Sequence, residues 1–212
     1  MATLLDGLTW QGHASFRLQD AVTIYFDPWE LRGEQAKADL ILITHPHHDH
    51  LSAPDVKKLL KKETVVVGPK DVIDKLKAEG VETAFRVVSP GSKLEVGGVS
   101  LETPAAYNPS KKFHPRENGW VGYRVEIGGR SIYHTGDTDE TPEARAITAD
   151  VLLVPVAGTY TMNAEEAGRL ADVIKPQVAI PMHWGKIVGS IEDAQLFKAR
   201  ASVPVTILEV ER

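Results

Sequence analysis

The segment Thr44-His45-Pro46-His47-His48-Asp49-His50 constrains this chain most, and it directly follows the apolar run Leu40-Ile41-Leu42-Ile43. Four of the eight histidines fall inside it. A strand that ends here and feeds a helix capped by Ser52 would set polar side chains at a sheet rim, where sites are assembled. His45 and His47 are two apart, so an extended backbone turns both rings to one side, while His48 between them is expected to point away. Imidazoles packed beside a carboxylate repel one another once protonated, so such a cluster needs a reason to exist. Together, imidazole nitrogen and carboxylate oxygen suit zinc, manganese or iron. One cation would take His45 and His47, and a second Asp49 and His50.

Composition narrows the chemistry further. The chain has no cysteine, which removes thiolate nucleophiles, disulfides and thiolate metal sites and leaves nitrogen and oxygen as the only strong donors. A length of 212 residues is read as a single domain, 1–212. The net charge of −5 argues against a general grip on nucleic acid or anionic lipid. Apolar runs such as Leu40–Ile43 and Val151–Val156 are too short to span a bilayer. Residues Met1 to Gly7 carry Asp6 and neither a basic start nor an apolar run of signal length, so the expected location is the cytoplasm.

Strands are expected at Ser15–Leu18, Thr23–Phe26, Leu40–Ile43, Thr64–Val67, Val99–Thr103, Gly122–Ile127, Ser131–Tyr133, Val151–Val156, Val178–Pro181 and Val205–Leu208. Gly97-Gly98 and Gly128-Gly129 read as hairpin turns. Helical periodicity covers Ala53–Lys61, Asp71–Glu79, Ala164–Ile174 and Ile191–Ala201, with Ser52 and Asn163 as N-caps. Strands then helices, followed by strands then helices again, suit two similar halves, each a sheet covered by helices on one side. The long irregular stretch Asn108–Gly119 is of the kind that carries function.

The His-x-His-x-Asp-His segment after an apolar strand resembles the signature of the metallo-β-lactamase superfamily. Further segments occur in the superfamily's order: Gly12-His13-Ala14-Ser15-Phe16, Phe26-Asp27-Pro28, His114 in the long loop, His134-Thr135-Gly136-Asp137-Thr138 and Pro181-Met182-His183-Trp184. The resemblance spans nearly the whole chain. It is nearest to the compact branch related to ascorbate-6-phosphate lactonase and N-acyl-phosphatidylethanolamine phospholipase D. It implies an α/β (α+β) fold, a four-layer αββα sandwich with two divalent metal ions at one rim. It also implies that His45, His47 and His114 hold the first metal, that Asp49, His50 and His183 hold the second, and that Asp137 bridges both. Zinc is the first expectation, with manganese or iron as alternatives. Asp27 is expected to accept a hydrogen bond from a ligand histidine. His134 is read as a hydrogen-bonded strand-end residue, and His13 either as a group facing the site or as a structural histidine.

The function implied is hydrolysis by a hydroxide bridging the two metals, with Asp49 and Asp137 as the catalytic carboxylates. Two divalent cations set against two carboxylates and a hydroxide leave a formal positive charge, suited to an anionic substrate or a developing oxyanion. A small, anionic molecule with an ester, lactone or phosphoester bond is therefore expected. Arg116, Lys112 and Lys111 are read as an anion clamp, and Tyr160, Tyr107 and Asn108 as pocket walls. The alternatives are a phosphodiesterase or nuclease acting on nucleotides and a non-catalytic metal-binding module. No stable nucleic-acid partner and no membrane are expected, and a homo-oligomer stays open.

Overall fold

A computed structural model describes residues 3–211. Met1 and Ala2, part of the amino-terminal stretch read above, and Arg212, the end of the expected domain, lie outside the described residues.

Two six-stranded sheets form the centre. In the first, β1 (Leu8–Gly12), β2 (Ser15–Gln19), β3 (Thr23–Phe26), β4 (Leu40–Leu42), β5 (Val65–Gly68) and β6 (Ala84–Val87) lie side by side in sequence order. In the second, β7 (Ser92–Val96), β8 (Val99–Thr103), β9 (Tyr123–Ile127), β10 (Arg130–His134), β11 (Val151–Pro155) and β12 (Val178–Met182) do the same. Each sheet begins as an antiparallel meander and ends parallel, from β3 to β6 in the first and from β10 to β12 in the second. All the parallel crossovers but β3 to β4, which is irregular, carry helices: α1 (Ala53–Leu59) and α2 (Lys70–Ala78) in the first half, and α3 (Pro142–Arg145) and α4 (Ala164–Ile174) in the second. The last helix, α5 (Ile191–Arg200), packs beside α4.

Three apolar clusters fix the layers. Phe16, Phe26, Leu42, Tyr123, Val125 and Leu153 belong to the core between the two sheets. Ile41, Val56, Leu59 and Leu76 pack α1 and α2 on the outer face of the first sheet, while Leu152, Leu170, Ala171 and Phe197 pack α4 and α5 on that of the second. Ile41 and Leu42 alternate between the outer and inner clusters, as the two-residue period of a strand demands. The result is the αββα sandwich. Asn163 closes a capping box with Glu166, and Ser52 accepts from the Asp55 amide, so both caps read from the sequence form.

Three departures have local causes. Val205–Leu208 is not a strand: Val205 makes a single bridge to Ala179, and Val210 then pairs with Trp10. This tail crosses from the edge of one sheet to the edge of the other, so it cannot run along either. The edge strands β6 and β7 expose much of their surface and contain no fully buried residue. β1 is buried at nearly every position, so it lacks the alternation by which strands are recognised. Among the described residues, no helix is long and apolar enough to cross a membrane.

Candidate metal centre

The carboxyl ends of β3, β4, β10 and β12 and the β1–β2 turn meet at one rim, the usual place for a site in such sheets. Asp27 directly follows β3 and is completely buried. Its carboxylate accepts from the Thr44 amide (2.8 Å), the Thr44 hydroxyl (2.7 Å) and His50 Nδ1 (2.7 Å). It therefore fixes the loop after β4 and aims the other nitrogen of His50 inward, the role expected of it. The Thr44 hydroxyl lies 2.9 Å from His45 Nδ1 and orients that ring as well, a part that sequence reasoning missed.

Asp137 enters from the other half, after β10. Its neighbour Gly136 adopts φ +64°, and a side chain there would come within 3.0 Å of the Val121 carbonyl and 3.2 Å of Thr44. Only glycine lets the two halves approach this closely. Asp137 Oδ2 lies 3.1 Å from His183 Nε2, 3.2 Å from His114 Nε2 and 3.8 Å from His45 Nε2, while Oδ1 lies 3.2 Å from His50 Nε2. All seven residues of the expected ligand set thus meet at this rim. Their donor atoms gather in sets within 4.8 Å: His45, His47 and His114; His45, His50 and Asp137; and Asp49, His50 and His183 together with His13.

His13 is the less anticipated member. Its Nε2 lies 3.0 Å from Asp49 Oδ2, and its ring centre is 3.9 Å from that of His183. The His13 carbonyl accepts from the His183 amide and the Trp10 indole, which binds the β1–β2 turn to the end of β12. His48 lines the rim of the cavity with a mostly exposed ring and joins none of the donor sets. His134 donates to the Ala14 carbonyl and accepts from the Gly136 amide, so both its nitrogens are engaged. Trp120, not singled out from sequence, packs against His45, His47 and His114 at ring distances of 4.9–5.5 Å.

Among the described residues, six non-glycine residues have left-handed backbone, and four of them are His13, Asp27, His114 and His183. Bulky residues rarely accept this conformation, and its concentration at one rim marks strain held for a purpose.

The electrostatics prepare the rim for cations. Burial and the neighbouring imidazoles hold His45 far below the usual histidine range and bring His47 to about 4. Burial likewise brings His13 to about 4, against the pull of Asp49. These rings are neutral at pH 7, the form that binds metal. Burial also opposes the charge on His50, but Asp137 and Asp27 outweigh it and raise that group well above its ordinary value. Burial penalises Asp137, yet His183, His50 and His114 hold its carboxyl well below the carboxylate range. Buried polar atoms almost always have hydrogen-bond partners, but among the described residues Nε2 of His45, His50, His114 and His183 and Oδ1 of Asp137 make no hydrogen bond. Once the proton on His50 is displaced, these converging donor atoms are what divalent cations would satisfy, and the donor set fits them.

A cavity of about 200 Å³ opens onto the cluster, lined by His47, Asp49, His114, Asp137 and His183 and also by Phe113, Tyr160 and Ile187. Tyr160 thus stands where a pocket wall was expected. The basic residues of the long loop do not. Arg116 is bonded to Glu143 at 2.6 Å and lies over the Tyr107 ring, Lys111 pairs with Asp139 and Glu166, and Lys112 is exposed. None of the three lines the cavity. Carboxylates on neighbouring segments draw these cations away from the opening.

Residues 7–183 match the family profile of a β-lactamase superfamily domain. The UPF0173 metal-dependent hydrolase of Thermoplasma acidophilum is 33% identical over 97% of this chain and 96% of its own length. A crystal structure from Parabacteroides distasonis, described as a metal-dependent hydrolase, shares 28% identity with a TM-score of 0.84, covering 96% of this chain and 93% of that one. A Thermotoga maritima protein, described as a zinc-dependent hydrolase of the metallo-β-lactamase superfamily, shares 26% identity with a TM-score of 0.63, covering 96% and 98%. By fold, by sequence and by the residues gathered at its rim, the chain belongs to the metallo-β-lactamase superfamily, within its UPF0173 group of metal-dependent hydrolases.

Proposed function

We propose that the chain is a two-metal hydrolase that cleaves an ester, lactone or phosphoester bond in a small molecule. His45, His47 and His114 would hold one divalent cation, Asp49, His50 and His183 the other, and Asp137 both. The observation that carries this reading is the set of buried, unpartnered imidazole nitrogens converging on Asp137. Zinc heads the candidates, with manganese and iron next, because the donors are nitrogen and oxygen alone. Residues 1–212 are read as one domain, which the core shared by both sheets supports.

When bound, the cations supply Lewis acidity and lower the pKa of water toward about 7, making hydroxide available at neutral pH. The protein supplies the positioning. Asp49 lines the cavity while His13 fixes one of its oxygens, so it can orient the attacking water and carry a proton to the leaving group. Asp27 and Thr44 hold His50 and His45 in place from behind. Trp120 shields the first cluster.

The test is elemental analysis of protein purified without added metal, paired with turnover of esters, lactones, phosphodiesters and thioesters. About two equivalents of a transition metal per chain, and hydrolysis abolished by a chelator and restored by that metal, are expected. A metal-replete protein that turns over none of them would overturn the reading.

A further inference from the structure

Part of the cavity beside the metal cluster is apolar, lined by Phe113, Tyr160 and Ile187. Phe113 and Ile187 are 43% and 40% exposed, and both line the cavity. Phe113 meets the Tyr160 ring edge to face at 4.8 Å. The buried amide of Asn108 joins this wall to the site: its Nδ2 donates to the Phe113 carbonyl (3.0 Å) and the Tyr160 carbonyl (2.5 Å) and lies 3.2 Å from His114 Nδ1. Ile187 follows His183 by four residues in the loop after β12. Phe113 and Tyr160 are thereby fixed relative to His114.

Charge is arranged in the opposite sense. Among the described residues, no lysine or arginine lines the cavity, and Arg116 and Lys111 are spent on Glu143, Asp139 and Glu166. An anionic substrate would therefore meet no side-chain cation at the mouth. The formal positive charge left on a two-metal centre would then act on charge that develops during reaction, not on a charge carried by the free substrate.

We infer that the substrate is a neutral carboxylic ester or lactone whose apolar group, about the size of a short alkyl chain or a ring, rests on Phe113, Tyr160 and Ile187. This rests on the hydrolase reading above and replaces the anionic substrate expected from the sequence with a neutral one. In the reaction the carbonyl carbon gains the hydroxyl of water, its bond to the alcohol oxygen breaks, and the remaining proton of water passes to that oxygen. No oxidant or reductant is needed. The cavity is small, so the wall accepts a few carbon atoms before the chain reaches solvent.

Metal-reconstituted protein is assayed with 4-nitrophenyl acetate, butyrate and hexanoate, and with 4-nitrophenyl phosphate and bis(4-nitrophenyl) phosphate. The expected result is a kcat/KM that rises about two- to fourfold per added methylene, as burial of each methylene predicts, and exceeds that for either phosphate. Phe113→Ala and Ile187→Ala should flatten the slope while metal content stays unchanged. A flat slope in the unaltered protein, or faster turnover of the phosphates, overturns the inference and leaves the hydrolase reading standing. If no compound in the panel is turned over, the hydrolase reading fails first. Calorimetry of the neutral amide N-butylbenzamide with metal-free protein then decides the wall by itself. Binding weakened severalfold in both variants supports it, and absent or unchanged binding overturns it.

Discussion

The two halves of the molecule share a plan and divide the site unequally. Both run from an antiparallel meander into parallel strands backed by helices. The first half delivers His45, His47, Asp49 and His50 from a single loop after β4. The second half delivers His114, Asp137 and His183 from three separate loops, two of them through left-handed histidines. A site on one loop can be ordered by one buried carboxylate, here Asp27. A site scattered over three loops needs a fixture at each: Asn108 for His114, Gly136 for Asp137 and the His13 carbonyl for His183.

Substitutions can break that contrast or sharpen it. Asp137→Asn has the largest expected effect, because this residue touches donors from both halves. Metal affinity should fall by more than about 100-fold, beyond the usual cost of losing an outer partner, and hydrolysis with it, as read by metal titration and kinetics. Asp27→Asn should cost about 10- to 100-fold in affinity, and unevenly: in a two-step titration the Asp49–His50–His183 position should weaken most. An equal loss at both positions would contradict a direct hold of Asp27 on His50 with only an indirect one, through Thr44, on His45. Asn108→Ala leaves the Phe113 and Tyr160 carbonyls without their donor and should cost about 1–3 kcal/mol, measured by urea unfolding. Tyr123→Phe is the mildest. Its hydroxyl, on β9, donates to the Ile43 and Val67 carbonyls across the two sheets, and its loss should cost about 1 kcal/mol by the same measurement.

The same contrast explains what the sequence made legible. The first half's contribution is local, so spacing alone displays it: two histidines two apart, then a carboxylate and a histidine on the turn. Asp27 at the end of a β-branched strand, both glycine-pair hairpins and the two principal helix caps are local in the same way. What escaped is set by distant segments. Nothing near His13 or His183 announces a left-handed backbone, because a contact between the β1–β2 turn and the end of β12 imposes it. Arg116 looked available for an anion because Glu143, twenty-seven residues further on, is its partner only after folding. Nothing local marks Phe113 and Ile187, and only the closed fold sets them around an opening. Val205–Leu208 has strand composition, but it crosses between the sheets.

Anomalous diffraction from crystals of the metal-reconstituted protein, recorded at the absorption edge of the bound element, tests the central claim most directly. Two peaks are expected per chain, one among His45, His47 and His114 and one among Asp49, His50 and His183, each within bonding distance of Asp137. Peaks remote from Asp137, or none at this rim in a protein that still hydrolyses its substrates, would contradict the account.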